Sequence, residues 1–400
     1  MSHYSRTSYT NNSIDSRTPL SVEVLEPTGA TAGRDWEHRI TDIDEIINDR
    51  RGVPTFVFAQ SEILRGGAPD LRARLEAYYG MPTDIWSNTQ WESNGFFGCA
   101  GDERVRHKTW FRFLVKTVIQ TKNEKTGLVK TTVFGNPEYT YHWYKMGFFS
   151  TWSPKGRKSI LCLDCPPEFI DHIRKSLSST SGDTFPVDPY CFHPYIVGGV
   201  VSIFDASIWA LRDLVRITEL NRKRNEKMTD YEDHFDYLHE LSRHVIHSAE
   251  ILTVATEVMS KMVHRHGGLL SRAEGSPDEE REAIMQIDDN LDFYQGLLFG
   301  FKCRCESMQQ RHQNEISLAQ SRAVAADAAA MKAIAGLTIV FLPATFVSAI
   351  FSMSFFDNGE QWALSSKIWI YWVIAIPVTL FTVILLRRGP KGSIMRFFSF

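Results

Sequence analysis

Charge-free positions along the chain fall into two long blocks near its C-terminal end. Ala333 to Phe356 gives 24 residues without Asp, Glu, Lys or Arg, and Ile368 to Leu386 gives another 19. At about 1.5 Å rise per residue, helices of these lengths reach roughly 36 and 28 Å, matching a hydrocarbon core of about 30 Å. Buried helices of a soluble core would share the apolar runs but not their flanks. Lys332 precedes the first run, and Arg387, Arg388 and Lys391 follow the second. Trp362, Trp369, Tyr371 and Trp372 cluster where the second begins, as an interfacial aromatic belt does. The pattern predicts transmembrane helices at about 333–356 and 368–386, within a module covering 331–390 and followed by a short cytosolic tail, 391–400.

Upstream the periodicity changes twice. Within 51–200, Trp110–Val118, Leu128–Phe134, Tyr139–Trp152 and Lys158–Leu163 are rich in aromatic and β-branched residues and separated by turn-formers. They predict a sheet flanked by short helices such as Ala68–Tyr79. After Gly198-Gly199, apolar residues recur at i, i+3 and i+4 over Phe204–Lys227 and Thr229–His264. A break at Ser271–Asp278 precedes a third helical stretch that meets no proline until Pro343. Residues 201–330 therefore read as a helical region and stalk, and 1–50 as a disordered tail and linker. The expected fold is an α+β cytosolic domain, a long stalk helix and two C-terminal transmembrane helices.

Composition sharpens this picture. The 400 residues carry 44 Lys plus Arg against 47 Asp plus Glu, a net charge of −3 that excludes a general nucleic-acid binder. With 43% hydrophobic and 23% charged residues, wholesale disorder is excluded as well. A mean hydropathy of −0.21 suggests a soluble protein only because it averages a charged body with the two apolar runs. The loop between those runs holds Asp357, Glu360 and one lysine, whereas both outer flanks are more basic. The positive-inside bias then puts both termini in the cytosol, or on the matrix side of a mitochondrial membrane.

Enzyme motifs are missing. His239-Glu-Leu-Ser-Arg-His244 spaces its histidines five apart, about 140° around a helix, so they cannot share a zinc ion as H-E-x-x-H does. Cys162-Leu-Asp-Cys165 has no second pair at zinc-site spacing and reads as two half-buried strand cysteines. No cofactor is expected beyond a transported or regulatory divalent cation.

The first apolar run carries chemistry of its own. Met331, Thr338, Thr345 and Ser352 recur every seven residues and so follow one helix face with slow drift, with Ser348 beside them. Intramembrane hydroxyls often bond back to their own helix. Two helices are too few to enclose an ion path, so a pore requires several subunits with this face turned inward. Hydroxyl rings there could hydrogen-bond a cation that keeps its water shell, as Mg²⁺ does because it dehydrates reluctantly. Asp327, on the Thr345 side of a straight helix, is a stalk candidate for attracting cations.

Gly336-Leu-Thr-Ile-Val-Phe-Leu-Pro-Ala-Thr-Phe-Val-Ser-Ala-Ile-Phe-Ser-Met-Ser-Phe355 resembles the first transmembrane helix of CorA-type magnesium transporters. In that family Pro-x-Thr-Phe runs into Tyr-Gly-Met-Asn-Phe, followed by a short acidic loop and a second helix ending in basic residues. Pro343-Ala-Thr345-Phe346, then Phe351-Ser352-Met353-Ser354-Phe355, then Asp357 and Glu360, then Arg387-Arg388 follow the same order. The resemblance is to divergent fungal members of the superfamily. It implies a homopentamer in a lipid bilayer, first helices lining the pore, and a cytosolic domain that senses Mg²⁺. It also places Met331, Thr338, Thr345 and Ser352 on the pore and Ser354 at the mouth, where the family has asparagine. Ser352-Met353-Ser354 replaces Gly-Met-Asn: one change adds a side chain at a turn, the other removes an amide carbonyl that meets the hydrated ion. The expected function is a passive divalent-cation channel, with a non-conducting membrane-anchored sensor or scaffold as the alternative.

Overall fold

The computed structural model describes residues 21–28, 36–49, 52–66, 69–102, 105–118, 121–122, 129–130, 141–154, 156, 158–179, 188–220, 231–272, 277–352 and 368–387. The chain divides into two units, Met1–Glu315 and Ile316–Phe400.

The first unit is built on a sheet. Its strands are β1 (Ser21–Pro27), β2 (Trp36–Asp42), β3 (Pro54–Ala59), β4 (Gly95–Asp102), β5 (Arg106–Val118), β8 (Tyr141–Trp152) and β9 (Lys158–Leu163), in the order β2-β1-β3-β9-β8-β5-β4. A separate pair joins β6 (Thr121–Lys122) to β7 (Val129–Lys130), and of the expected strand Leu128–Phe134 only β7 lies within the described residues. β3 and β9 pair in parallel at the centre, and their other neighbours are antiparallel. Short helices α1 (Ile43–Asn48), α2 (Ser61–Gly66), α3 (Pro69–Tyr79) and α4 (Asn88–Trp91) precede β4.

Alternation along the strands sorts side chains between two cores. Phe56, Phe58, Phe148, Ile160 and Cys162 face one core, whereas Val57, Phe149, Leu161 and Leu163 face the other. The first core is covered by α5 (Pro167–Ser178), whose Phe169, Ile173 and Leu177 are buried at four-residue spacing, and by α6 (His193–Leu220) and α7 (Tyr231–Arg272). The second is closed by α1, α3 and the stacked rings of Trp86 and Trp91.

Three expectations shift. Ser21–Pro27 and Trp36–Asp42 are paired strands and Ile43–Asn48 is a helix, so sheet structure begins well before residue 51. The reason is local: Val22 and Val24 alternate with exposed Ser21 and Glu23 and fill the second core, while Leu25 faces the first. Helix α6 runs through the boundary drawn at residue 200. Gly198 and Gly199 lie inside it because a Cβ there would come within 2.7 Å of the Tyr294 hydroxyl and 2.8 Å of the Phe169 ring. Cys162 is fully buried on β9, whereas Cys165 lies beyond the strand's end, its thiol pushed up chiefly by burial.

Helix α8 runs from Asp278 to Phe351 without a break and spans the division between the units, starting as predicted after the Ser271–Asp278 break. Helix α9 (Ile368–Arg387) belongs to the second unit. Helix α6 is also long and apolar enough to cross a membrane, but most of its side chains lie in the core.

Candidate ion pathway

The second unit pairs the end of α8 with α9. Pro343 and Val347 on α8 and Ala375 on α9 are buried, and Tyr371 and Thr379 are partly so. Elsewhere the two helices expose Leu337, Phe341, Phe346, Val373, Leu380 and Phe381. So much apolar surface on two helices needs lipid or further protein to cover it.

Geometry separates two faces of α8. At 100° per residue, Thr345 stands about 200° from both Pro343 and Val347, so the Thr338–Thr345–Ser352 line points away from α9. Met331, Thr338, Thr345 and Ser352 are all exposed, Met331 by 68%. Asp327 is exposed and, 18 residues before Thr345, falls on the same line.

Each hydroxyl of the line spends its proton on its own helix. Thr338 Oγ1 donates to the Ile334 carbonyl at 2.9 Å, and Ser352 Oγ to Ala349 at 2.9 Å. Thr345 Oγ1 reaches Phe341 at 3.0 Å and Leu342 at 2.9 Å. Pro343 lacks the N–H that would bond the carbonyl four residues back, which loosens the ladder locally. With the protons turned inward, the hydroxyl oxygens keep lone pairs free to accept hydrogen bonds. The water shell of a cation presents hydrogens outward, so acceptors are what such a shell requires.

Ser348 does not share this arrangement. Its hydroxyl donates to Tyr371 Oη of α9 at 3.2 Å, and Tyr371 donates to the Ala344 carbonyl at 3.3 Å. This relay ties the two helices at the proline. Position alone assigns Tyr371 to an aromatic belt; the signal for its second role is that a phenol within apolar surroundings needs a partner.

Phe351 ends α8, and Arg387 ends α9. Met353, Ser354, Phe355, Asp357, Glu360 and Arg388 lie outside the described residues. Among the described residues no three His, Cys, Asp or Glu side chains converge as a set of metal ligands. His239 is exposed and His244 buried, on different sides of α7.

A family model described as "CorA-like Mg2+ transporter protein" matches residues 163–388. Notoamide biosynthesis cluster protein M' of Aspergillus versicolor is 31% identical over 222 residues, 48% of this chain and 47% of that protein. The chain thus spans about half the length of this curated relative. The full-length CmaX protein has a similar fold, with a TM-score of 0.57 at 15% identity, covering 94% of this chain and 99% of that one. The CorA magnesium transporter of Methanocaldococcus jannaschii covers the same shares, with a TM-score of 0.55 at 11% identity. The sheet-and-long-helix fold is shared along nearly the whole chain and the family match takes in more than half of it, both apolar helix segments included: the chain belongs to the CorA-like Mg²⁺ transporter family.

Proposed function

We propose that this chain is one subunit of a homo-oligomeric, membrane-embedded channel that passes divalent cations, Mg²⁺ or a similar hydrated ion, down their electrochemical gradient. The observation that carries this reading is the line of hydroxyls facing away from α9, each oxygen left as an acceptor. In a ring of subunits, with five as the number the family resemblance implies, that face lines the axis and the α9 helices surround it. Met331 and Thr338 are then nearer the cytosolic end, Thr345 lies mid-membrane and Ser352 near the mouth. Phe351, Met353, Ser354 and Phe355 complete the mouth, while Asp357 and Glu360 concentrate cations outside it. Asp327 does the same below the membrane, and Arg387 and Arg388 hold the end of α9 at the cytosolic surface. Both termini are cytosolic in this arrangement. Ser348 serves helix pairing instead of the ion.

Cation uptake in cells deficient in magnesium transport tests the reading. This chain, and more strongly a Ser352→Gly, Ser354→Asn double variant, should restore growth at low Mg²⁺. If neither does so while both reach the membrane, the non-conducting scaffold takes the channel's place.

A further inference from the structure

In the first unit two carboxylates gather around one buried histidine. His266, on α7, has no solvent exposure. Its Nδ1 is 2.7 Å from Asp288 Oδ1 on α8, and its Nε2 is 2.8 Å from Asp188 Oδ2 in the segment before α6. Two ring nitrogens facing two carboxylates at these distances both need an N–H, which describes an imidazolium. Burial opposes that charge, but the bonds to Asp188 and Asp288 outweigh it and raise the pKa above the ordinary value.

The surroundings do not compete for the proton. Tyr190 packs edge-on to His266 at 5.3 Å and against His193 of α6 at 4.7 Å. Burial pushes His193 down to about 3, and its Nε2 pairs with the Thr109 hydroxyl of β5 at 2.8 Å. His107, also on β5, lies 5.4 Å from the Tyr190 ring. A cleft of about 860 Å³ is lined by His107 and Tyr190 together with Asp102 of β4 and His264, Arg265 and Arg272 of α7, and it brings solvent to the edge of the cluster.

We propose that Asp188, His266 and Asp288 form a proton-operated clasp that holds the N-terminal part of α8 to α7 and the α6 entry, and lets it go when the histidine loses its proton. A neutral imidazole has one N–H to give. The Asp188 side chain is sealed, 1% exposed, and cannot exchange its bond for water, whereas that of Asp288 is 26% exposed and can hydrate. The remaining proton therefore stays on Nε2, facing Asp188. Nδ1 then turns a lone pair toward the Asp288 carboxylate, two acceptors meet, and Asp288 is released. The sign follows from the raised pKa: the clasp contributes fully below the unfolded histidine value and is lost as pH rises through the folded one. Because α8 continues to Thr338, Thr345 and Ser352, release acts on the helix assigned to the pore. That consequence rests on the proposed function; the clasp itself does not.

Hydrogen exchange on the full chain in lipid nanodiscs at pH 6 and pH 8.5, corrected for intrinsic rates, tests the clasp. Segments covering 280–295 should lose about fivefold in protection at the higher pH. Asp288→Asn and His266→Gln should each abolish the difference while segments in β5 and β8 stay protected. Equal protection at both values in the wild-type chain, or an unchanged pH difference in both variants, overturns the clasp. If a variant fails to fold, the His266 ring titration followed by NMR in the wild-type chain decides: a midpoint above 6.5 supports the clasp and one below it overturns it. Flux recorded on the same samples separates the two ideas. A flux profile indifferent to Asp288→Asn, with the exchange difference lost, removes the link to the pore alone. Absent flux with the exchange difference intact removes the channel reading alone.

Discussion

Lys116 shows how much one residue in the sheet is asked to carry. It is only 2% exposed, with its ammonium 4.5 Å from the Tyr141 ring and 4.9 Å from that of Trp143, and it donates to His247 Nδ1 at 3.1 Å. Burial, reinforced by nearby Arg243, pushes it down to about 8 from its ordinary 10.5. Between those two values the unfolded chain binds more protons than the folded one, so this residue's contribution to stability rises with pH. Denaturation of wild type and Lys116→Met at pH 7 and pH 10 should show the variant's advantage shrinking by on the order of 2 kcal/mol at the higher pH. An advantage independent of pH would mean that Lys116 is uncharged throughout or freely hydrated. None of this is legible in the sequence, where Lys116 is one charge in an apolar strand. Its two aromatic neighbours lie across a strand pairing that only the fold defines. The hydroxyl line was legible, because a seven-residue repeat fixes a helix face without any knowledge of what lies opposite.

Elements of the chain were readable in proportion to their length and regularity. Helix α8 follows from the long proline-free stretch after the Ser271–Asp278 break, and the two apolar runs from their lack of charge over lengths that only a helix can use to span a bilayer. The N-terminal strands β1 and β2 were not, because a seven-residue strand beside an uncertain flank has too few alternations to distinguish it from a polar tail. Gly198-Gly199 suggests a break in sequence and is a packing site in the structure, where α5 and α8 approach α6. Gly199→Ala forces a methyl against the Phe169 ring and should cost about 1–3 kcal/mol, seen as a lower denaturation midpoint of the first unit. An unchanged midpoint would show that Phe169 can move aside. In the second unit the two faces of α8 predict a pattern of labelling. Cysteines placed at Met331, Thr338, Thr345 and Ser352 should react with a small cationic thiol reagent, and one at Val347 should not. Equal reactivity at all five positions would mean that the line of hydroxyls faces no aqueous path.

At the scale of the whole molecule, one continuous helix, α8, runs from the sheet-bearing unit into the unit that holds α9, and from Leu337 onward the described parts of α8 and α9 expose many large apolar side chains. The sequence shows that the average composition conceals two environments. It does not show that a buried histidine links the sheet unit to α8, because Asp188, His266 and Asp288 are separated by 78 and 22 positions along the chain. The account stands on α8 as the wall of a cation path. Reconstitution into liposomes loaded with a Mg²⁺-sensitive dye tests that most directly, comparing wild type with a Thr345→Leu, Ser352→Leu chain of the same oligomeric state. Wild-type vesicles should admit Mg²⁺ and the double variant should be at least tenfold slower, since bulky apolar groups remove both the width and the acceptors of the path. Equal influx through the two, or none through a properly inserted wild-type oligomer, would contradict it.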